Sequence, residues 1–442
     1  MTPRRAAVAS FVGTTVEFYD FLIYGTAAAL VFPKLFFPGT SPTTGMLLSF
    51  ATFGVGFVAR PLGGIVFGHF GDRVGRKRML VYSLLLMGGS TVAMGLLPTY
   101  AQIGLAAPLL LTALRLLQGF AVGGEWGGAT LMAVEHAPSD RKGFYGAFPQ
   151  MGAPAGTALA TLAFYAVSLL DDAAFLSWGW RIPFLASAVL IAIGLVIRLS
   201  LTESPEFTAV QQHSAVVRLP FTEAFRRHWR QILLVAGAYL SQGVFAYICV
   251  AYLVSYATSA AGIDRTDALF GVFVAAVVAV CTYPLFGSLA DRIGRKPVFL
   301  MGVLAMGVAA LPTFALINTG EPVWFLVALV LVFGLAMAPA AGVTGSLFAL
   351  VFDTDVRYTP VSVGYTLSQV LGSAFAPTIA VALYNSTKTS DSIAAYLIVV
   401  SIISALSAMF LPGPLRWWGG TRRPRTAEAA TSAPGTAPEP TG

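Results

Sequence analysis

Charge is scarce in this sequence. Of its 442 residues only 11% are Asp, Glu, Lys or Arg, against 56% hydrophobic, and the mean hydropathy is +0.76. Soluble domains carry about 25% charged residues, so an ordinary soluble fold is excluded. Cysteine is almost absent, and Cys249 and Cys281 both fall in apolar runs. That argues against a structural disulfide, and no cluster of ligating side chains has the spacing of a metal site. No Walker A run is present, and no pairing of nucleophile and base is visible. The net charge of +7 comes with no DNA-binding motif. Catalytic residues, metal ligands, cofactors and nucleic-acid partners are therefore not expected, and the bound partners expected are a bilayer and a small molecule.

What the chain has in abundance is long apolar runs. Twelve of them, at about 7–32, 45–68, 79–97, 104–134, 143–170, 181–201, 231–258, 268–288, 298–317, 322–351, 359–385 and 392–411, are long enough to cross roughly 30 Å of hydrocarbon as helix. The pattern predicts an all-α membrane protein of twelve transmembrane helices. Basic residues set its orientation, because they accumulate on the cytoplasmic side. With both termini cytoplasmic, only Lys34, Arg181, Arg265 and Lys388 fall outside, and Arg60 and Arg115 lie within spans. The first run carries Glu17 and is too long for the h-region of a signal peptide, so it is read as a span. The tail from Pro412, rich in Pro, Ala, Thr and Gly, reads as disordered.

A ten-residue loop occurs twice. "GHFGDRVGRK" at 68–77 returns as "GSLADRIGRK" at 287–296, with 219 residues between Asp72 and Asp291. Each copy follows the second span of a six-span half. The expected organisation is a six-helix bundle over 1–201, a cytoplasmic linker over 202–230, a second bundle over 231–411 and a tail over 412–442. Repeats of this kind enclose a site at the midplane and rock about it. In the loop, glycines permit a very short turn, the aspartates can accept from helix N-terminal amides, and Arg73, Arg76, Arg292 and Arg295 hold the segment inside. The two copies at equivalent positions read as a gating latch.

These motifs carry a resemblance. "EFYDFLIYG", "FVARPLGG" with "GHFGDRVGRKR", "RLLQGFAVGGEWGGATLMAVEHAP", "SWGWRIPF", "TESPEF", "DRIGRK" and "DVRYTPVSVGY" resemble the major facilitator superfamily. Within it they resemble the metabolite:proton symporters, a group that includes shikimate, α-ketoglutarate, citrate and proline/betaine permeases. The resemblance implies the major facilitator fold, no enzyme activity, a proton gradient as driving force, and function in the cytoplasmic membrane as a monomer. It also implies a proton-transfer role for Arg115. One segment departs from it: where relatives read roughly "ELFPTEVRYTG" this chain has "LVFDTDVRYTP", with Leu350, Asp353 and Pro360 at the changed positions.

Five ionisable residues lie well inside spans: Glu17, Asp20, Arg60, Arg115 and Glu125. Each costs at least about 2.5 to 3.5 kcal/mol at midplane on insertion scales, so each should face a cavity or a bundle interior. Glu17 and Asp20 share a helix face with Tyr24, which is a candidate substrate contact. Two carboxylates this close resist joint ionisation, so one could carry a proton; the alternative is a permanent bridge to an arginine. Three acids against two arginines leave one carboxylate unmatched. Arg60 could take a substrate carboxylate in its planar fork or pair with Glu17 or Asp20. Gln118 follows Arg115 by one turn and joins the candidate substrate contacts. Glu125, roughly 15 Å along the helix from Arg115, reads as a gate contact or a packed polar residue. "PQMGAPAG" at 149–156 reads as a packing seam with tolerated prolines.

The second half has no charge deep in a span, and Ala279 stands opposite Arg60 in the repeat. It offers Tyr239, Gln242, Tyr247, Tyr365, Ser368 and Gln369 instead, which could read substrate shape and hydroxyls or simply pack. The expected function is proton-coupled import of a small polar metabolite by alternating access. A shikimate-like or dicarboxylate organic acid is the first choice of substrate. A zwitterionic osmolyte or amino acid comes second, and export third.

Overall fold

The computed structural model describes residues 3–74, 76–123, 130, 133–134, 137–200, 220–352 and 358–412. Among them the chain is helical, without strands, and runs through twelve long stretches. The first six are α1 (Pro3–Leu30), α2 (Pro42–Val74), α3 (Arg76–Leu96), α4 (Ala106–Val122), α5 (Lys142–Ser168) and α6 (Arg181–Ser200). The second six are α7 (Pro220–Tyr247, a π-turn Ile248–Tyr252 and Leu253–Ser259), α8 (Arg265–Ile293), α9 (Arg295–Ile317), α10 (Pro322–Leu329, a π-turn Val330–Ala336 and Ala338–Phe348), α11 (Tyr358–Ser368, a π-turn Gln369–Ser373 and Ala376–Thr387) and α12 (Asp391–Phe410).

Eight stretches are long and apolar enough by length and composition to cross a membrane, and a ninth is the helix pair bent by 42° at Trp180. α3 and α4 contribute only shorter apolar helices, Val81–Leu96 and Ala106–Val122, and α5 is not among the eight either. Its Pro149, Gln150, Gly152, Pro154, Gly156, Thr157 and Thr161 dilute its hydropathy, and it needs little lipid-facing surface because it packs along α1 and α8. Apolar side chains instead cover the outside elsewhere: Leu109, Val196, Leu285, Val308 and Phe410 are all exposed. Polar groups turn inward, the arrangement a bilayer requires.

Within the first half α2 packs on α4 and α3 on α6; within the second α9 packs on α12 and α7 on α11 and α12. The halves meet where α5 lies against α8 and α10, α1 against α7, and α2 against α11. Residue 75 alone separates α2 from α3, and Gly294 alone separates α8 from α9. Gly294 has φ +102°, a conformation open to glycine at little cost, which is why the repeated loop can be so short. α7 begins at Pro220, inside the stretch read as linker. Proline suits the first turn of a helix, and a break at His228 (φ −124°, ψ 18°) divides this entry segment from the span proper.

Candidate functional site

Four of the five charges expected inside the membrane are buried together in the first half; Glu125 lies outside the described residues. Glycine contacts put them there. A Cβ on Gly119 of α4 would strike the carbonyl oxygen of Gly56 on α2, and one on Gly123 would strike that of Arg60. The two helices therefore touch backbone to backbone, and Gly56 faces the Arg115 side chain directly.

Arg115 is fully buried. Its Nη1 donates to Gln118 Oε1 and its Nε to the Phe53 carbonyl at 3.4 Å. Gln118 Nε2 in turn donates to Thr91 Oγ1 at 2.7 Å and to the Asp20 carbonyl at 3.0 Å. The Arg115 guanidinium carbon lies 3.8 Å from the Phe21 ring centroid, 4.3 Å from Tyr24 and 4.8 Å from Phe53. Arg60 is 4.3 Å from the same Phe21 ring and 4.6 Å from Phe57, and its buried Nε has no hydrogen-bond partner among the described residues. Tyr247 of α7 closes this box from the other half, 5.1 Å from Phe57 and 5.4 Å from Phe53 between centroids.

The arginine bridge that is the alternative reading for Asp20 is not present among the described residues. Asp20 is fully buried, and neither carboxylate oxygen has a hydrogen-bond partner among the described residues. Ser187 of α6 lies beside it without reaching hydrogen-bond geometry, and Gly88 of α3 lines its other side. The carboxyl points into the first bundle, away from the second half. The reason is rotational: Asp20 shares a helix face with Glu17, but the aromatic rings occupy the space around both guanidiniums. Glu17, also buried, lies where its charge acts on Tyr247 and Tyr365.

A cavity opens between the halves. Phe18, Leu22, Pro149, Gln150, Pro154 and Thr157 line it from α1 and α5; Tyr239, Gln242, Tyr247, Tyr283, Phe333, Met337 and Gln369 line it from the second half. Tyr239, Gln242 and Gln369 stand where the sequence expects substrate contacts. Gln369 Nε2 donates to the Tyr365 hydroxyl at 2.9 Å, and Thr344 Oγ1 donates to Gln242 Oε1 at 2.7 Å. Tyr365 packs tilted against Tyr239, at 4.8 Å between centroids. Gln369 Oε1, Gln150 Nε2 and the Tyr247 hydroxyl remain buried without partners among the described residues. Arg60 and Tyr365, also expected to contact substrate, are not among the residues lining this cavity, and neither are Tyr24 and Gln118. Tyr24 donates to Thr52 Oγ1 at 2.8 Å, and both side chains build the seat of Arg115. Sequence reasoning missed Gln150 as a lining residue; the signal was a lone amide within the proline-rich stretch of α5.

The latch residues divide. Asp291 accepts from the backbone N–H groups of Gly143 at 2.7 Å and Phe144 at 2.9 Å, the first turn of α5 in the other half. Arg295 Nη2 lies 3.6 Å from the same carboxylate, while Arg292 is exposed. The side chains of Asp72, Arg73 and Arg76 lie outside the described residues. Lys296, read only as part of a basic run, is buried and donates to the carbonyls of Met409 at 2.7 Å and Leu411 at 2.9 Å, capping the end of α12. At the opposite end Arg265 bridges to Asp172 at 2.9 Å.

Residues 10–377 and 262–437 match the family model described as Major Facilitator Superfamily. The chain is similar to a shikimate transporter of Escherichia coli (strain K12), 42% identical over 92% of this chain and 94% of the relative. It is also similar to a proline/betaine transporter of the same organism, 33% identical over 92% of this chain and 83% of the relative. Among solved structures, that of a D-xylose-proton symporter superposes with a TM-score of 0.72 at 18% identity, covering 93% of this chain and 97% of that one. A likeness at that identity shows the fold alone.

Proposed function

The chain belongs to the Major Facilitator Superfamily, and from that premise we propose that it imports a small organic acid together with protons. At the coarser level it is a multi-pass membrane protein and a secondary transporter of metabolites. The observation that carries the finer reading is the division of charge in the first bundle. Arg60 is held at the bundle interface, and Asp20 is sealed away from the cavity; among the described residues neither Arg60 Nε nor either Asp20 carboxyl oxygen has a hydrogen-bond partner.

In this reading Arg60 receives the substrate carboxylate, beside Tyr247 and Tyr365 of the second half. Gln150, Gln242 and Gln369 offer hydrogen bonds to substrate hydroxyls. Asp20 carries the proton, and Gln118, which holds Arg115, donates to the Asp20 main-chain carbonyl. With proton and substrate both bound, fewer unpaired charges remain buried, and the halves can close around the site. Alternating access then needs only different affinities in its two states. A membrane potential contributes about 2.3 kcal/mol per charge per 100 mV. In this reading both termini face the cytoplasm, the side on which the basic residues gather.

A zwitterion is the second reading, favoured by the aromatic walls at Phe18, Tyr239, Tyr247, Tyr283 and Phe333, which could face a quaternary ammonium. The two are separated by uptake into proteoliposomes from a panel of shikimate, dicarboxylates, proline and betaine under an imposed inward pH gradient. Accumulation of a hydroxylated acid, abolished by a protonophore, supports the first reading. Accumulation of betaine or proline alone supports the second, and uptake indifferent to the gradient refutes proton coupling.

A further inference from the structure

α5 and α8 run antiparallel across the interface between the halves, and α8 holds α5 at both ends. Asp291, in the last turn of α8, accepts the backbone N–H groups of Gly143 and Phe144 in the first turn of α5. Arg265, the first residue of α8, reaches the last residue of α5: its Nη2 donates to the Ser168 carbonyl at 3.2 Å. Each end of α5 therefore meets a charge opposite to its dipole, an anion at the N-terminus and a cation at the C-terminus. Arg265 is seated more deeply than a surface ion pair. Its guanidinium carbon lies 4.0 Å from the centroid of the Phe175 ring, which is fully buried, and its Nη1 donates to Asp172 Oδ1 at 2.9 Å. The Arg265 side chain is 22% exposed and the Asp172 side chain 81%. A carboxylate so open to water adds little to an ion pair, so the carbonyl and the ring face carry most of the hold.

We propose that Arg265 is the clasp of a second gate, opposed to the one that Asp291 closes. Both clasps are made in this structure, so the α5–α8 seam is held shut at each end. Rocking of the halves about the middle of that seam lengthens the contacts at one end and keeps those at the other. Opening at the Arg265 end withdraws the guanidinium from Ser168 and Phe175 and leaves the Asp291 contacts in place; opening at the Asp291 end does the reverse. The two clasps thus bias one equilibrium in opposite directions, and their relative strength sets the resting state before substrate binds. The inference rests on the alternating access of the reading above and is independent of which substrate or ion is carried.

The test uses two buried reporters in a Cys249→Ser, Cys281→Ser background. Ser255 lies toward the Arg265 end, where it donates to Met46 Sδ of α2 across the interface at 3.1 Å; Ser346 lies toward the Asp291 end, against Gly146 of α5. Maleimide labelling of Ser255→Cys and of Ser346→Cys is followed in membranes without substrate. Arg265→Gln is expected to raise the ratio of the Ser255→Cys rate to the Ser346→Cys rate by about 5- to 50-fold, and Asp291→Ala to lower it. Arg265→Lys keeps the charge but loses the planar face and should raise the ratio less; it decides the matter if Arg265→Gln does not reach the membrane. Asp172→Asn should change the ratio by no more than about 3-fold. Arg265→Gln combined with Asp291→Ala should return the ratio toward that of the wild type. An unchanged ratio in the Arg265 variants, beside a lowered one in Asp291→Ala, overturns the role of Arg265 alone. Both reporters speeding up together in every variant overturns rocking about this seam and the inference with it.

Discussion

Replacing Asp291 with alanine should release the closure between the halves at the end carrying Gly294. The carboxylate accepts two backbone N–H groups of α5, at 2.7 and 2.9 Å, across the interface. Hydrogen bonds to a charged group are worth about 1.5 to 3 kcal/mol each. Here the two act on one side chain that water can partly replace on opening, and the helix N-terminus adds a favourable field. A net loss of about 2 to 3 kcal/mol is expected, a shift of about 30- to 150-fold in the equilibrium toward the form open at that end. Asp291→Asn keeps an acceptor but not the charge and should shift it by about 5-fold. Ser346 reports the opening, because it is fully buried where α10 meets Gly146 of α5. In a Cys249→Ser, Cys281→Ser background, the rate at which maleimide modifies Ser346→Cys in membranes should rise in the order wild type, Asp291→Asn, Asp291→Ala. Equal rates in all three would refute the assignment of Asp291 as a latch.

Two further substitutions test the scaffold that holds the site. Gly119→Ala should lower the detergent melting temperature and abolish uptake, since its methyl meets the Gly56 backbone and displaces Arg115; Gly13→Ala, with open space around it, is the matched control and should do neither. Lys296→Met should cost about 1 to 3 kcal/mol by leaving the Met409 and Leu411 carbonyls uncapped, read as a lower melting temperature. Lys296→Arg should recover part of that loss, and an unchanged melting temperature in Lys296→Met would contradict the capping role.

The spans were legible because hydropathy over about 20 residues is the strongest signal a membrane protein carries. α5 shows where that signal thins: it packs against both halves, so its sequence can hold prolines, glycines and an amide that lipid would not tolerate. Burial of Glu17, Asp20, Arg60 and Arg115 was legible too, because each is costly in hydrocarbon. Their partners were not. Spacing assigns Asp20 to a helix face but not the rotation that turns it toward Gly88 and Ser187, nor the rotamers that lay both arginines on Phe21. Phe53, Phe57 and Arg60 follow one another at helical spacing, and Phe21 falls three before Tyr24. Stripes of that kind ordinarily pack a core, which hid an aromatic seat for cations. Gln118 was read as a substrate contact for a similar reason: one turn from Arg115 it could face a lumen or a neighbour, and it faces the neighbour.

The central claim is that substrate and proton cross together and that Asp20 carries the proton. It is tested most directly by measuring both fluxes at once in proteoliposomes, radiolabelled organic acid uptake beside the change of an internal pH dye, for wild type and Asp20→Asn. The wild type should show proton entry in fixed ratio to substrate entry and accumulation against a gradient. Asp20→Asn should still exchange substrate but neither carry protons nor accumulate it. Proton entry and accumulation unchanged in Asp20→Asn would contradict the account.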